Sequence, residues 1–124
     1  MDGERRGWMM LAAASGLIGV AAGAFAAHGL AAPMAKEWMR TGSTYQLIHA
    51  VACLACVALP VRTRVPTALF LGGAILFSGS LYAMALGAPL WLGAVTPVGG
   101  LLFMAGWATL ILAAARAPGR MNGE

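Results

Sequence analysis

A stretch without any charged residue runs from Val65 to Ala115. Soluble domains of ordinary composition carry about a quarter of their residues as charged side chains, so a stretch of this kind does not suit a water-exposed fold. It is too long for one membrane-spanning helix, which needs about 20 apolar residues, and long enough for two. Gly87, Ala88 and Pro89 lie near its middle and mark a turn. Two spans are therefore predicted here.

The rest of the chain has the same character. Of its 124 residues, 60% are hydrophobic and 10% charged, and the mean hydropathy is +0.80. Its length favours a single domain. Two further apolar segments bring the predicted spans to four: 7–27, 44–61, 65–86 and 97–115. The predicted fold class is all-α, an integral membrane four-helix bundle over residues 1–124.

The first apolar segment also resembles a signal peptide. Arg5 and Arg6 precede it, and Ala24-Phe25-Ala26 fits an A-x-A cleavage pattern. The segment is nevertheless about 21 residues long, whereas the apolar core of a secretory signal has roughly 7–15. We therefore expect a retained helix.

A polar piece, residues 33–41, separates the first two spans. Met34 and Trp38 fall on one helical face and Lys36 and Arg40 on another, which favours a short interfacial helix lying on the membrane surface. Gly42 is expected to end this helix. The spacing of Ser43 and Gln46 matches a capping box that opens the second span.

The basic residues predict the orientation of the chain. They lie in pairs between apolar segments and form no continuous stripe, so a nucleic-acid partner is not expected. With both termini cytoplasmic, only Lys36 and Arg40 lie outside, which satisfies the positive-inside rule. The inside residues are then Arg5, Arg6, Arg62, Arg64, Arg116 and Arg120.

Small residues recur along three of the spans and predict close helix packing. Lipid provides no hydrophobic drive for helix association, so close backbone approach and dispersion must supply it. The glycines assigned to these contacts are Gly19, Gly23, Gly72, Gly79, Gly99 and Gly106.

The predicted topology gathers most hydrogen-bonding side chains near the outer surface, within about 12 Å of it at 1.5 Å of rise per residue. Two hypotheses remain open for this polar cluster. It is either an interhelical hydrogen-bond network or a site for a small molecule, haem or metal between His28 and His49. Its members are His28, Tyr45, Gln46, His49, Ser78, Ser80, Tyr82 and Thr96.

Metal binding and catalysis have weaker support. His49, Cys53 and Cys56 share one helical face, and imidazole and thiolate are good ligands for zinc or copper. Three ligands on one helix seldom surround an ion, so two buried apolar cysteines are the favoured interpretation, and no metal or cofactor is predicted. No acidic residue lies in any span, and no nucleotide-binding or Ser-His-Asp motif is present, so an enzyme is not predicted.

Four ordered motifs resemble those of a known family. They are GAFAAHGL at 23–30, YQLIHA at 45–50, LFSGSLY at 76–82, and TPVGG at 96–100 followed by Gly106-Trp107. The chain is similar over residues 7–115 to the YgdD/YwdK-type family of unknown function. Ala26 departs from the usual signature, which has glycine there, and the family commonly has Leu or Ala in place of Cys53 and Cys56.

The resemblance implies a four-helix protein of the bacterial inner membrane with no assigned activity. Most residues of this chain that match the family motifs belong to the polar cluster. Pro97 also matches a motif and lies outside that cluster. Residues and resemblance together favour a non-catalytic accessory or interaction protein, in contact with lipid and with a membrane-protein partner or a second copy. The alternative function is binding or permeation of a small solute or haem at His28 and His49.

Overall fold

A computed structural model describes residues 1–119, and all of the ordered secondary structure in them is helical. Helix α1 spans Gly3–His28, α2 Pro33–Ala58, α3 Arg64–Ala85 and α4 Thr96–Arg116, with a short 3₁₀ helix at Leu90–Ala94 before α4. Four helical segments are long and apolar enough to cross a bilayer. The all-α class and the four candidate spans are thus confirmed. Arg120, one of the predicted inside residues, lies outside the described residues.

Local chemistry explains where the helices begin and end. The Asp2 carboxylate accepts a hydrogen bond from the Arg5 backbone N–H at 2.7 Å and caps α1. Pro33 opens α2, where its missing N–H costs nothing. After α3 the chain turns at Gly87, whose φ of +99° is a conformation that side chains disfavour.

The separate interfacial helix predicted for residues 33–41 is wrong, because these residues are the first turns of a continuous α2. Gly42 does not end the helix. It is buried against α3, where a Cβ would lie 2.6 Å from the Tyr82 ring. The Ser43 hydroxyl donates across the interface to the Gly19 carbonyl and forms no capping box. Helix packing on both sides therefore overrides the local stop and start signals.

The helices pack mainly in chain order. Extensive contacts join α1 to α2, α2 to α3 and α3 to α4, and a smaller contact joins α1 to α3. One buried cluster, Ala12, Cys53, Cys56 and Phe70, lies towards the end of the bundle that holds the α2–α3 connection. A second, Ala26, Met39 and Ala85, lies at the opposite end.

Most of the predicted packing glycines lie at helix contacts. On α1, Gly19 approaches Leu47 and Gly23 approaches Ser43. On α4, Gly99 lies on the backbone of Phe77 and Gly106 on the ring of Phe70. Gly72 faces Leu102 loosely, and Gly79 has no neighbour within 4 Å. Two close approaches, at Gly42 and Gly73, were not among the predicted contacts.

Candidate functional site

Gln46 connects three helices at the centre of the structure. Its side chain is buried near the middle of α2, where its amide nitrogen donates to the Ser15 hydroxyl at 3.2 Å. Its amide oxygen accepts from the Tyr82 hydroxyl at 2.6 Å. An amide has both a donor and an acceptor end, so a single residue can bond α1 and α3 at once.

Two serines add bonds from side chain to backbone beside Gln46. Ser43 on α2 donates to the Gly19 carbonyl at 2.7 Å, and Ser78 on α3 donates to the Gly42 carbonyl at 2.7 Å. Both acceptors belong to glycines, whose lack of a side chain lets the neighbouring helix approach closely. Small residues and polar residues thus act together at these interfaces.

His49 is bonded through both ring nitrogens. Nδ1 lies 2.7 Å from the Tyr45 carbonyl oxygen, which can only accept, so this nitrogen carries the proton. Nε2 accepts from the Trp107 indole N–H at 3.0 Å. The two partners therefore fix a neutral imidazole in a single tautomer. Neither nitrogen keeps a free lone pair for a metal or haem iron.

Stacking also holds the imidazole in place. Its ring lies 3.7 Å from the Phe103 ring, centroid to centroid, with 8° between the planes. Phe70 and Trp107 contact it at 5.3 and 5.8 Å. His49 is thus one of the residues through which α2 contacts α4 by long side chains, together with Tyr45, whose ring lies 6.3 Å from that of Phe103.

A third polar contact joins α3 to α4. The hydroxyls of Ser80 and Thr96 lie 2.6 Å apart, and Ser80 also bonds the Phe77 carbonyl at 3.0 Å. Since the single proton of Ser80 goes to that carbonyl, Thr96 donates to Ser80. Thr96 is thereby used in tertiary packing at the start of α4.

The structure brings together only part of the predicted polar cluster. Tyr45, Gln46, His49, Ser78 and Tyr82 lie on the facing sides of α2 and α3. Ser80 and Thr96 form their own pair, and His28 is exposed at the end of α1. Because α2 begins at Pro33, His49 lies about four turns, roughly 24 Å, from the start of the helix and not in its first turns.

That separation bears on the haem hypothesis. The end of α1 that carries His28 is close to the start of α2, whereas His49 is past the middle of α2. The two imidazoles therefore cannot face one iron. A bis-histidine haem site is not supported by this geometry.

Sequence reasoning missed two members of the network. Ser15 was not included in the polar cluster, although it is the one hydroxyl or amide side chain in the predicted span 7–27. A buried glutamine needs hydrogen-bond partners on neighbouring helices. Because Ser15 is the one such side chain in the first predicted span, it could have been identified as a partner of Gln46. Trp107 was noted within a motif, but nothing in its spacing indicated that its N–H bonds His49.

The two cysteines lie deep in the structure and are free thiols. Cys53 is fully buried, and its Sγ lies 3.8 Å from the Thr67 carbonyl. Cys56 packs in the same cluster, beside Phe70. Since His49 faces Trp107 with its only acceptor nitrogen, these three residues do not form a ligand set.

An open groove adjoins His49 between α2 and α4. Its volume is about 580 Å³, and we call it the aromatic groove. Tyr45 and Phe77 meet in it with their ring centroids 4.8 Å apart. The rings that line it are those of Tyr45, His49, Phe77, Phe103 and Trp107.

Helices of this length and apolarity, joined by short connections and tied by internal polar bonds, define a polytopic integral membrane protein. Comparison with known proteins then gives the family. The family model named "Protein of unknown function (DUF423)" matches residues 22–100. The chain belongs to the DUF423 family, whose curated relatives are UPF0382 membrane proteins.

The relatives match along most of their length. A UPF0382 membrane protein from Haemophilus influenzae is 43% identical over 110 residues, covering 83% of this chain and 89% of the relative. The Escherichia coli K12 inner membrane protein YgdD is 43% identical over 118 residues, covering 87% and 88%. A Staphylococcus epidermidis relative is 35% identical over 113 residues, covering 86% and 93%.

These matches confirm the family resemblance that the four motifs indicated. No solved structure matches the chain significantly. The family has no assigned function, and none of the relatives' names indicates a catalytic role.

Proposed function

We propose that this chain is a non-catalytic accessory protein of the bacterial inner membrane that acts by lateral contact with another integral membrane protein. The Escherichia coli relative is an inner membrane protein, which supports this location. The short connections between the helices of residues 1–119 leave the apolar helix faces as the main surface for contact.

One observation carries the proposal. Among the described residues, no buried side-chain nitrogen or oxygen lacks a hydrogen-bond partner. The polar side chains that could have served chemistry are therefore used to hold the helices together. What faces outward is apolar, as at Leu17 on α1 and Leu101 on α4, which are 73% and 63% exposed.

Charge supports an orientation with both termini cytoplasmic. One end of the bundle carries Lys36 and Arg40, and Arg40 is paired with Glu37. The other end has more basic residues, which favours the cytoplasmic side. Those among the described residues are Arg5, Arg6, Arg62, Arg64 and Arg116.

Site-specific photocrosslinking tests the proposed contact. A photoreactive amino acid replaces Leu101 in one variant and Leu17 in another, so that equally apolar positions on two outward faces are compared in native membranes. We expect one face to give a discrete adduct with one protein, identified by mass spectrometry and recovered reciprocally when that protein is tagged. Lipid adducts alone at both positions would refute the proposal.

The aromatic groove favours a second candidate function, the binding of a planar apolar solute. Ligand sites commonly have volumes of about 300–1,000 Å³ and walls that are mostly apolar and aromatic, and the groove fits this description. Mass spectrometry of extracts from the purified protein should then detect one small molecule in stoichiometric amount. Phe77→Ala should abolish its recovery, whereas Phe25→Ala, on α1 outside the groove, should not.

A further inference from the structure

A large cleft lies at the end of the bundle opposite the α1–α2 connection. It has a volume of about 1080 Å³ and is bounded by the start of α1, the α2–α3 connection and the end of α4. We call it the basal cleft. The side chains that matter for its chemistry are Arg5, Arg62, Arg64, Arg116, Trp8 and Leu112.

Two of the four arginines are held by partners within the protein. Arg64 forms a two-pronged bond with the Glu4 carboxylate, with distances of 2.5 and 2.8 Å. Arg5 donates to the Val57 carbonyl at the end of α2 at 2.7 Å.

Arg62 and Arg116 have no ion-pair partner within residues 1–119. Both line the basal cleft and both are exposed. The second carboxylate among the described residues that line the cleft, that of Asp2, caps α1 through the Arg5 N–H. The cleft therefore has an excess of positive charge contributed by two different elements, the α2–α3 connection and α4.

The start of α3 adds to this positive field. The Thr63 hydroxyl donates to the Cys56 carbonyl at 2.8 Å and does not cap the helix. Two N–H groups in the first turn of α3, those of the cleft-lining residues Arg64 and Val65, thus keep no side-chain acceptor. Pro66 has no N–H, and the Thr67 N–H bonds the Thr63 carbonyl at 3.0 Å. Uncapped N–H groups and the helix dipole favour an anion.

The same cleft has apolar walls. Trp8 and Leu112 line it together with the arginines, so charged and apolar groups face one space. The apolar segments of α1, α3 and α4 start or end at this level. A boundary between lipid and water is expected where such segments end. A soluble anion needs no such walls, whereas an amphiphile with a phosphate group and acyl chains uses both features.

We propose that the basal cleft binds an acidic phospholipid, with Arg62 and Arg116 holding the phosphate and with Trp8 and Leu112 in contact with the acyl chains. Guanidinium groups suit phosphate oxygens because of their planar set of donors. Basic pockets between transmembrane helices are a recognised form of lipid headgroup site. This site is independent of the partner contact proposed above.

Native mass spectrometry of the full chain in mild detergent tests the assignment. The protein is titrated with phosphatidylglycerol, with zwitterionic phosphatidylcholine and with soluble glycerol phosphate. The Arg62→Gln/Arg116→Gln variant is compared with Lys36→Gln/Arg40→Gln, which removes two charges at the opposite end. A basic residue near anionic lipid usually contributes a fixed increment of binding free energy, and the first variant loses two such residues. It should therefore bind phosphatidylglycerol about thirtyfold more weakly.

The control variant should bind as wild type does. Circular dichroism melting checks that the variants fold, and the single Arg62→Gln variant, altered only in the helix connection, provides a milder second measurement. Equal binding of phosphatidylglycerol by wild type and either Arg62 variant would overturn the proposal. So would equal binding of phosphatidylcholine, or binding of glycerol phosphate as strong as that of the lipid.

Discussion

His49 has two partners of opposite character, a carbonyl that only accepts and an indole N–H that only donates. This pairing makes a residue-scale prediction. Trp107→Phe removes the donor to Nε2 while keeping an aromatic ring, and should lower the free energy of unfolding by about 1 kcal/mol. Nitrogen-15 NMR should show His49 with a protonated Nδ1 in wild type, and its Nε2 resonance should move in the variant.

Trp91→Phe serves as the matched control, because Trp91 lies in the 3₁₀ helix and is 67% exposed. It should change neither the stability nor the histidine signals. A protonated Nε2 in the wild-type protein would contradict the assigned hydrogen bonds.

The sequence singled out several of the polar residues that form the interhelical bonds because so few polar side chains occur among the apolar segments. Gln46, His49 and Tyr82 stood out for that reason alone. Their partners could not be predicted, since a pairing such as Gln46 with Ser15 depends on the rotation and height of each helix. An error in where a helix begins shifts the position of every residue along it. For that reason His49 was expected in the first turns of its helix, whereas it lies past the middle of α2.

At the scale of helices, alanine substitutions at two helical glycines are expected to have opposite effects on stability. A Cβ on Gly99 would collide with the backbone of Phe77, which no side-chain rotation relieves. Gly99→Ala should therefore force α3 and α4 apart and destabilise the protein by about 1–3 kcal/mol. Thermal unfolding in detergent, followed by circular dichroism, measures this change.

Gly79→Ala is the control, since it is the same substitution in a helix and meets nothing within 4 Å. It should be neutral or stabilising by up to about 1 kcal/mol through helix propensity. A Gly99→Ala variant as stable as Gly79→Ala would contradict the close approach of α3 and α4.

The predicted spans 7–27, 65–86 and 97–115 lie within about four residues of the ends of α1, α3 and α4, whereas the predicted span 44–61 starts well inside α2. In α1, α3 and α4 the apolar segment ends close to charged or turn residues, so hydrophobicity and the local helix-end signals predict similar boundaries. At Gly42 and Ser43 the local signals of a helix end and a new helix start were present, yet both residues bond or pack against neighbouring helices. Those contacts lie outside any local window of sequence.

For the whole molecule, the proposed orientation with both termini cytoplasmic predicts which connections reagents can reach. Pro60→Cys in the α2–α3 connection should be cytoplasmic, whereas Glu37→Cys near the start of α2 should be periplasmic. A membrane-impermeant maleimide applied to intact spheroplasts should label Glu37→Cys and leave Pro60→Cys unlabelled until the membrane is permeabilised.

The wild-type chain is the control, because both of its own cysteines are buried and should stay unlabelled. Labelling of Pro60→Cys before permeabilisation would contradict the proposed orientation.

The number of spans and the charge asymmetry could be predicted from composition along the chain. The order in which the helices pack could not, since most apolar helix faces are alike in hydrophobicity.

That order, in which each helix packs mainly on its predecessor, has a consequence for biosynthesis. As a new helix leaves the insertion machinery, its principal neighbour is already in the membrane. No segment has to wait, exposed and unpaired, for a distant part of the chain to be translated. Contacts between consecutive segments form quickly because little chain must be ordered to close them. The protein can therefore assemble at the pace of its own synthesis.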